Sequence, residues 1–225
     1  MIGIVDYGAG NLKSLKNSLE GFRYDCIVTR DPEVVRGCEL VFLPGVGAFP
    51  DAVETLKGTG LWDALLDRNR NGKPIMGICL GMQLLYEGSD EMVETEGLGF
   101  LKGKVTRLGD LGGAIKIPHM GWNTLTSGSP KNREMADLGI ETKAGWHDEF
   151  EGRDVYFVHS YAVVEGEGEC ELLYAEHGRS IPALVMKKTD EAGKGTVVGF
   201  QFHPEKSGEL GNRLLKNAIE EVLRR

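Results

Sequence analysis

The chain has 225 residues and a formal net charge of −8, with no run of lysine and arginine beyond isolated pairs such as Lys187-Lys188. That length buries a substantial core, and the charge balance excludes a duplex- or RNA-binding face. No stretch approaches the roughly 18 apolar residues that cross a bilayer. The N-terminus lacks the basic and apolar regions of a signal peptide, so neither nucleic acid nor membrane is expected as a partner. Four scattered cysteines without a CxxC pair point to reduced thiols in a cytoplasmic protein. Glycine is the outlier at 32 residues, about twice the ordinary share, so its placement in turns matters.

In chain order, Ile2–Val5 reads as a strand, followed by a glycine turn. Asn11 is a helix cap before Leu12, Leu15 and Leu19 at helical spacing. Cys26–Val28 is a second strand, and Asp31-Pro32-Glu33 is a cap and first-turn signature. Strand Leu40–Leu43, a helix through Leu61–Leu66, strand Pro74–Ile78 and a helix from Leu80 to Tyr86 follow. The second half reads as strands at Val105–Leu108, Trp122–Thr126, Val155–Val158, Glu171–Ala175, Ala183–Lys187 and Val197–Phe202. An amphipathic helix around Leu210–Leu223 closes the chain. The polar stretch 127–154 reads as an insertion or mobile loop. With no linker in view, residues 1–225 read as one domain. The class is α/β: an open, mixed and mostly parallel sheet flanked by helices, flavodoxin-like, with extra antiparallel strands in the second half. Its site belongs beyond the carboxyl ends of the parallel strands.

Gly77-Ile78-Cys79-Leu80-Gly81 lies between a buried strand and a helix, the pattern of a nucleophile elbow with Cys in place of Ser. The flanking glycines remove Cβ atoms that would clash in a sharp turn. The helix N-terminus favours a thiolate, and the Leu80 N–H can face an oxyanion. A thiolate needs a proton carrier, and His203-Pro204-Glu205 supplies a candidate. Residues two apart on an extended segment share a face, so Glu205 can orient His203. The order Cys, His, Glu departs from that of the α/β-hydrolases. Pro44-Gly45-Val46-Gly47 follows a strand, and its amides can approach an anion. Gly8-Ala9-Gly10 fails the dinucleotide fingerprint, because its sixth position is Lys13. Cysteines and histidines are too scattered for a metal site, so neither metal nor cofactor is expected.

Asp6-Tyr7-Gly8-Ala9-Gly10-Asn11, Leu43–Phe49, Gly77–Leu85, Pro118-His119-Met120-Gly121-Trp122-Asn123, Tyr156–Tyr161 and Gly199–Ser207 together resemble the class I glutamine amidotransferases. Within that class they resemble the glutaminase subunits of imidazole glycerol phosphate synthase, over essentially the whole chain. The resemblance implies a Cys79, His203, Glu205 triad that hydrolyses L-glutamine through a thioester, with ammonia passed on. It implies backbone oxyanion donors at Leu80, Val46 and Gly47, and substrate contacts at Gly45, Gln83, Ser160 and Tyr161. It implies a heterodimer with a (β/α)₈-barrel cyclase acting in L-histidine biosynthesis, and Asn11, Met120, Trp122, Asn123 and Lys206 near that interface. Packing alone would instead place a large aromatic such as Trp122 in the core.

Overall fold

The computed structural model describes residues 1–111, 115–127, 145–166, 170–189 and 192–224. Its first half alternates strand and helix: β1 (Ile2–Val5), α1 (Leu12–Gly21), β2 (Cys26–Thr29), α2 (Pro32–Gly37), β3 (Leu40–Gly45), α3 (Phe49–Gly58), α4 (Leu61–Arg70), β4 (Ile75–Cys79) and α5 (Leu80–Leu84). Both caps expected from the sequence form. Asn11 Oδ1 accepts from the Ser14 N–H at 3.4 Å, and Asp31 Oδ1 from the Glu33 N–H at 2.8 Å, each satisfying an otherwise orphaned helix donor. Helix α3 was not expected. Its sequence explains it nonetheless: Pro50 stands in the first turn, where a missing N–H costs nothing, with Asp51 beside it and Lys57 in the last turn.

The second half adds β5 (Gly88–Ser89), β6 (Thr95–Glu96), β7 (Gly103–Arg107), β8 (His119–Thr126), β9 (Asp154–His159), β10 (Tyr161–Gly166), β11 (Glu171–Glu176), β12 (Ser180–Lys187), β13 (Val197–Phe200) and α6 (Gly208–Leu223). Nine strands join in the order β2-β1-β3-β4-β13-β12-β11-β8-β9. The run from β2 to β13 is parallel and the run from β13 to β9 antiparallel. A separate four-stranded sheet, β10-β7-β5-β6, goes beyond the sequence reading, which had only β7 of the four. Of the stretch 127–154, residues 128–144 lie outside the described residues. The described remainder is anchored at Phe150, which is fully buried in a 3₁₀ turn, and Glu149 pairs with Arg213 of α6.

Side chains alternate across each strand, so the large sheet has two apolar faces. On one, Val41, Leu43 and Ile75 meet Phe49, Leu56 and Leu65 of α3 and α4. On the other, Leu40, Phe42, Phe200 and Phe202 meet Leu15 and Leu19 of α1 and Leu214, Leu215 and Ile219 of α6. The parallel register sets Gly45 opposite Cys79 and Ile78 opposite Phe200. The carboxyl ends of β3, β4 and β13 are therefore level, and the residues that follow them emerge together.

Candidate active site

Cys79 ends β4 and caps α5 with φ +54° and ψ −111°. A residue carrying a Cβ is strained there, at a cost on the order of 1–3 kcal/mol. Its neighbours make the turn possible. A Cβ on Gly81 would collide with the Leu43 carbonyl of β3, and one on Gly77 would collide with the Gly81 backbone. The strand, the turn and the helix thus close on one another with no room for side chains, and the Cys79 sulfur is set at the sheet edge. It is buried, 3.8 Å from the Val158 carbonyl and 4.0 Å from Gln201 Nε2.

His203 follows β13 and is also buried. Its Nδ1 lies 2.9 Å from Glu205 Oε1, and both side chains are almost wholly enclosed. The route by which Glu205 arrives differs from the sequence expectation. His203 itself is extended, but Pro204–Lys206 forms a 3₁₀ turn, so the carboxylate folds back instead of sharing a strand face. The His203 backbone is fixed on both sides: its N–H donates to the Tyr156 carbonyl at 2.9 Å, and its carbonyl accepts from Ser207 Oγ at 2.7 Å. Nε2 is buried with no conventional hydrogen-bond partner among the described residues. Burial opposes a charge on the ring, but the Cys79 sulfur and the Glu205 carboxylate outweigh it and push the His203 pKa up to about 9.

A cavity of about 200 Å³ opens beside the sulfur, lined by Val46, Gly47, Cys79, Leu80, Gln83, Glu91, Val158, His159, Ser160 and Tyr161. It gathers most of the oxyanion and substrate residues expected from the sequence. Gly45 lies just below, where a Cβ would strike the Tyr7 hydroxyl. Gln83 is one helical turn past Cys79, and its Nε2 donates to the Tyr161 carbonyl at 2.8 Å and to Gln201 Oε1 at 3.1 Å. Glu91, His159 and Gln201 were not singled out in the sequence. Glu91 Oε2 accepts from the Phe49 N–H at 2.8 Å, and burial raises its pKa despite that bond. No metal-competent cluster of histidine, cysteine and carboxylate residues occurs among the described residues, and no described helix is long and apolar enough to cross a membrane.

Strand β8 separates the remaining candidates by its two-residue period. Met120 and Trp122 point outward, 65% and 59% exposed, so Trp122 is not a core residue. Asn123 lies on the opposite face, where its Nδ2 donates to the Glu176 carbonyl at 2.9 Å. Asn11 is half-buried as the α1 cap, and Lys206 is exposed beside the His203 turn.

Residues 3–222 match the family model described as glutamine amidotransferase class-I. A protein of Oceanobacillus iheyensis named imidazole glycerol phosphate synthase subunit HisH is 44% identical over the full length of both chains. A protein of the same name from Geobacillus sp. is 43% identical, with 96% of this chain and 95% of that one covered. Among solved structures, one titled as a glutamine amidotransferase superposes with a TM-score of 0.66 at 19% identity, covering 98% of this chain and 97% of the other.

Proposed function

The chain belongs to the class I glutamine amidotransferases, and on that premise we propose that it is the glutaminase subunit of an imidazole glycerol phosphate synthase. The observation that carries the reading is the meeting of a strained Cys79, a buried His203–Glu205 pair and one cavity at the ends of β3, β4 and β13. Full-length similarity to proteins named HisH supports the choice within the family.

In this reading L-glutamine enters the cavity with its side-chain amide at Cys79. The sulfur attacks the amide carbon, and the C=O π pair moves to oxygen. Backbone amides at Leu80 and at Val46-Gly47 stabilise that oxyanion. Imidazolium His203 gives its proton to the departing nitrogen, the C–N bond breaks, and ammonia leaves a γ-glutamyl thioester. Neutral His203 then takes a proton from water as the oxygen attacks the thioester. Glutamate is released and the thiolate–imidazolium pair is restored. Glu205 holds the ring and stabilises its charge. Glu91, in the cavity wall, supplies the carboxylate for the substrate's α-ammonium. Gly45, Ser160 and Tyr161 shape the wall, with Gln83 as an amide contact.

Ammonia is lost if released to water at neutral pH, so it passes to a cyclase partner. We read that partner as a (β/α)₈ barrel, docked on the face that carries Met120 and Trp122 with Asn11, Asn123 and Lys206 nearby. The partner completes imidazole glycerol phosphate synthesis for L-histidine. Cys26, Cys38 and Cys79 form no disulfide, which supports a reducing, cytoplasmic setting. The test is glutamate release measured with and without the cyclase and its nucleotide substrate. Activity should depend on the partner, and Cys79→Ala should abolish turnover while the complex still forms. Residual glutaminase turnover in that variant removes Cys79 as nucleophile, and failure to bind any such cyclase removes the assignment within the family.

A further inference from the structure

Three side chains that the reaction does not use form a continuous line from strand β8 to the cavity. Asn123 Nδ2 lies 3.0 Å from His119 Nε2, His119 Nδ1 lies 3.0 Å from His159 Nε2, and His159 Nδ1 lies 2.8 Å from the Tyr161 carbonyl oxygen. His119 and His159 are directly opposite one another in the β8–β9 register. Both ends dictate the direction of the line. The Tyr161 carbonyl only accepts, so His159 Nδ1 carries the proton; in a neutral ring its Nε2 then accepts, and His119 Nδ1 must donate. At the other end, the Glu176 carbonyl accepts from Asn123 Nδ2 and the Thr124 N–H donates to Asn123 Oδ1 at 2.8 Å. That fixes the amide so that its nitrogen faces His119, and the two assignments agree.

We propose that Asn123, His119 and His159 are positioning residues: a one-way hydrogen-bond chain of two neutral Nδ1–H imidazoles that fixes the Tyr161 carbonyl and, through it, Gln83 at the glutamine cavity. The Tyr161 oxygen accepts from both His159 and Gln83 Nε2, which uses its two lone pairs. Gln83 spends its other amide hydrogen on Gln201, so its Oε1 is left as the acceptor for a substrate N–H. An extra proton anywhere along the line would set two donors face to face. The surroundings refuse one. His119 is stacked between Phe157 and His177, at 4.5 and 4.1 Å. Burial and the neighbouring His177 push its pKa down to about 4; burial, with the charges of His119, His177 and His203, pushes His159 down to about 3.

The inference rests on the glutamine reading of the cavity, and its test separates the two. Nitrogen-15 imidazole spectra of the whole chain should show His119 and His159 as Nδ1–H tautomers with no titration between about pH 5.5 and 8. In the cyclase complex, His119→Phe removes the donor to His159. It should raise the glutamine KM about 3- to 10-fold, the loss of one ordinary hydrogen bond, with kcat little changed. His119→Asn keeps an N–H near the Nδ1 position and should restore KM to within about 2-fold of wild type. An Nε2–H tautomer or ordinary titration at either ring overturns the chain. So does an unchanged KM in His119→Phe, or equal damage in both variants. If wild type releases no glutamate at all, the glutamine reading fails, and with it the positioning role, while the spectra still decide the tautomers.

Discussion

Two buried neutral histidines, only partly offset by a third that is buried with its charge, make the chain's stability fall on mild acidification. His119 and His159 are neutral in the folded state, with values pushed down to about 4 and about 3, whereas the unfolded chain protonates them near their ordinary pKa of about 6.5. Their contribution is complete above that value and is lost as pH falls towards the folded values. Between pH 7.5 and 5.0 each gives the unfolded state about 2 kcal/mol of proton binding that the folded state forgoes, or about 4 kcal/mol together. His203 works the other way. Its value of about 9 means that its stabilisation is complete below about pH 6.5 and disappears as pH rises through 9. Over the same interval it grows from about 2 to about 3 kcal/mol. The expected net loss is about 2 to 3 kcal/mol, and His147, depressed by burial, adds to it. Urea unfolding at the two pH values, followed by tryptophan fluorescence, measures the difference. Replacing His203 by Gln removes the offset and should steepen the loss towards about 4 kcal/mol. Equal or greater stability of that variant at pH 5.0 would refute neutral burial of the other two rings.

Other substitutions test the remaining contacts. Glu205→Gln should lower the His203 pKa, shift the alkaline limb of the glutaminase pH profile downward, and slow turnover by about 10²-fold or more; an unmoved limb would show that Glu205 does not act on the ring. Gly81→Ala drives a methyl into the Leu43 carbonyl and should cost about 1–3 kcal/mol in urea unfolding, with glutaminase activity lost as the turn shifts. Retained activity would show that the turn tolerates a side chain. Trp122→Ala should leave unfolding within about 0.5 kcal/mol of wild type, because the ring is exposed. Cyclase binding, measured calorimetrically, should weaken by about 1 kcal/mol or more, and unchanged binding would move the docking face elsewhere.

Local rules made the parallel half of the fold readable. Caps, the glycine turns after β1, β3 and β4 and apolar periodicity all act over a few residues, and Asn11, Asp31 and the Gly77–Gly81 elbow are fixed on that scale. The small sheet was not readable because β5 and β6 are two residues each, too short to show alternation. Tyr161–Gly166 breaks its pairing register with Gly103–Arg107 at a bulge, which blurs its pattern. Glu91 lies in an irregular stretch and reaches the cavity through the α3 backbone, a contact made 42 residues away in sequence. Likewise, His119 and His159 meet only because β8 and β9 pair, 40 residues apart. The Trp122 case is instructive: composition favours burying an indole, but the strand's two-residue alternation had already placed it opposite Asn123 and His119.

The backbone angle at Cys79 sets folding and chemistry against one another at a single residue. Glycine alone adopts φ +54° without penalty, so the substitution that would most relax this turn is also one that removes the sulfur. Improvement of the chain by screening for heat resistance would therefore drift towards an inert protein at this position, and gains in robustness must be sought elsewhere, for instance in the packed layers below the sheet edge. The cost held in that turn is small beside the many apolar contacts of the two sheet faces, and that surplus lets the chain keep a conformation its own local preferences reject.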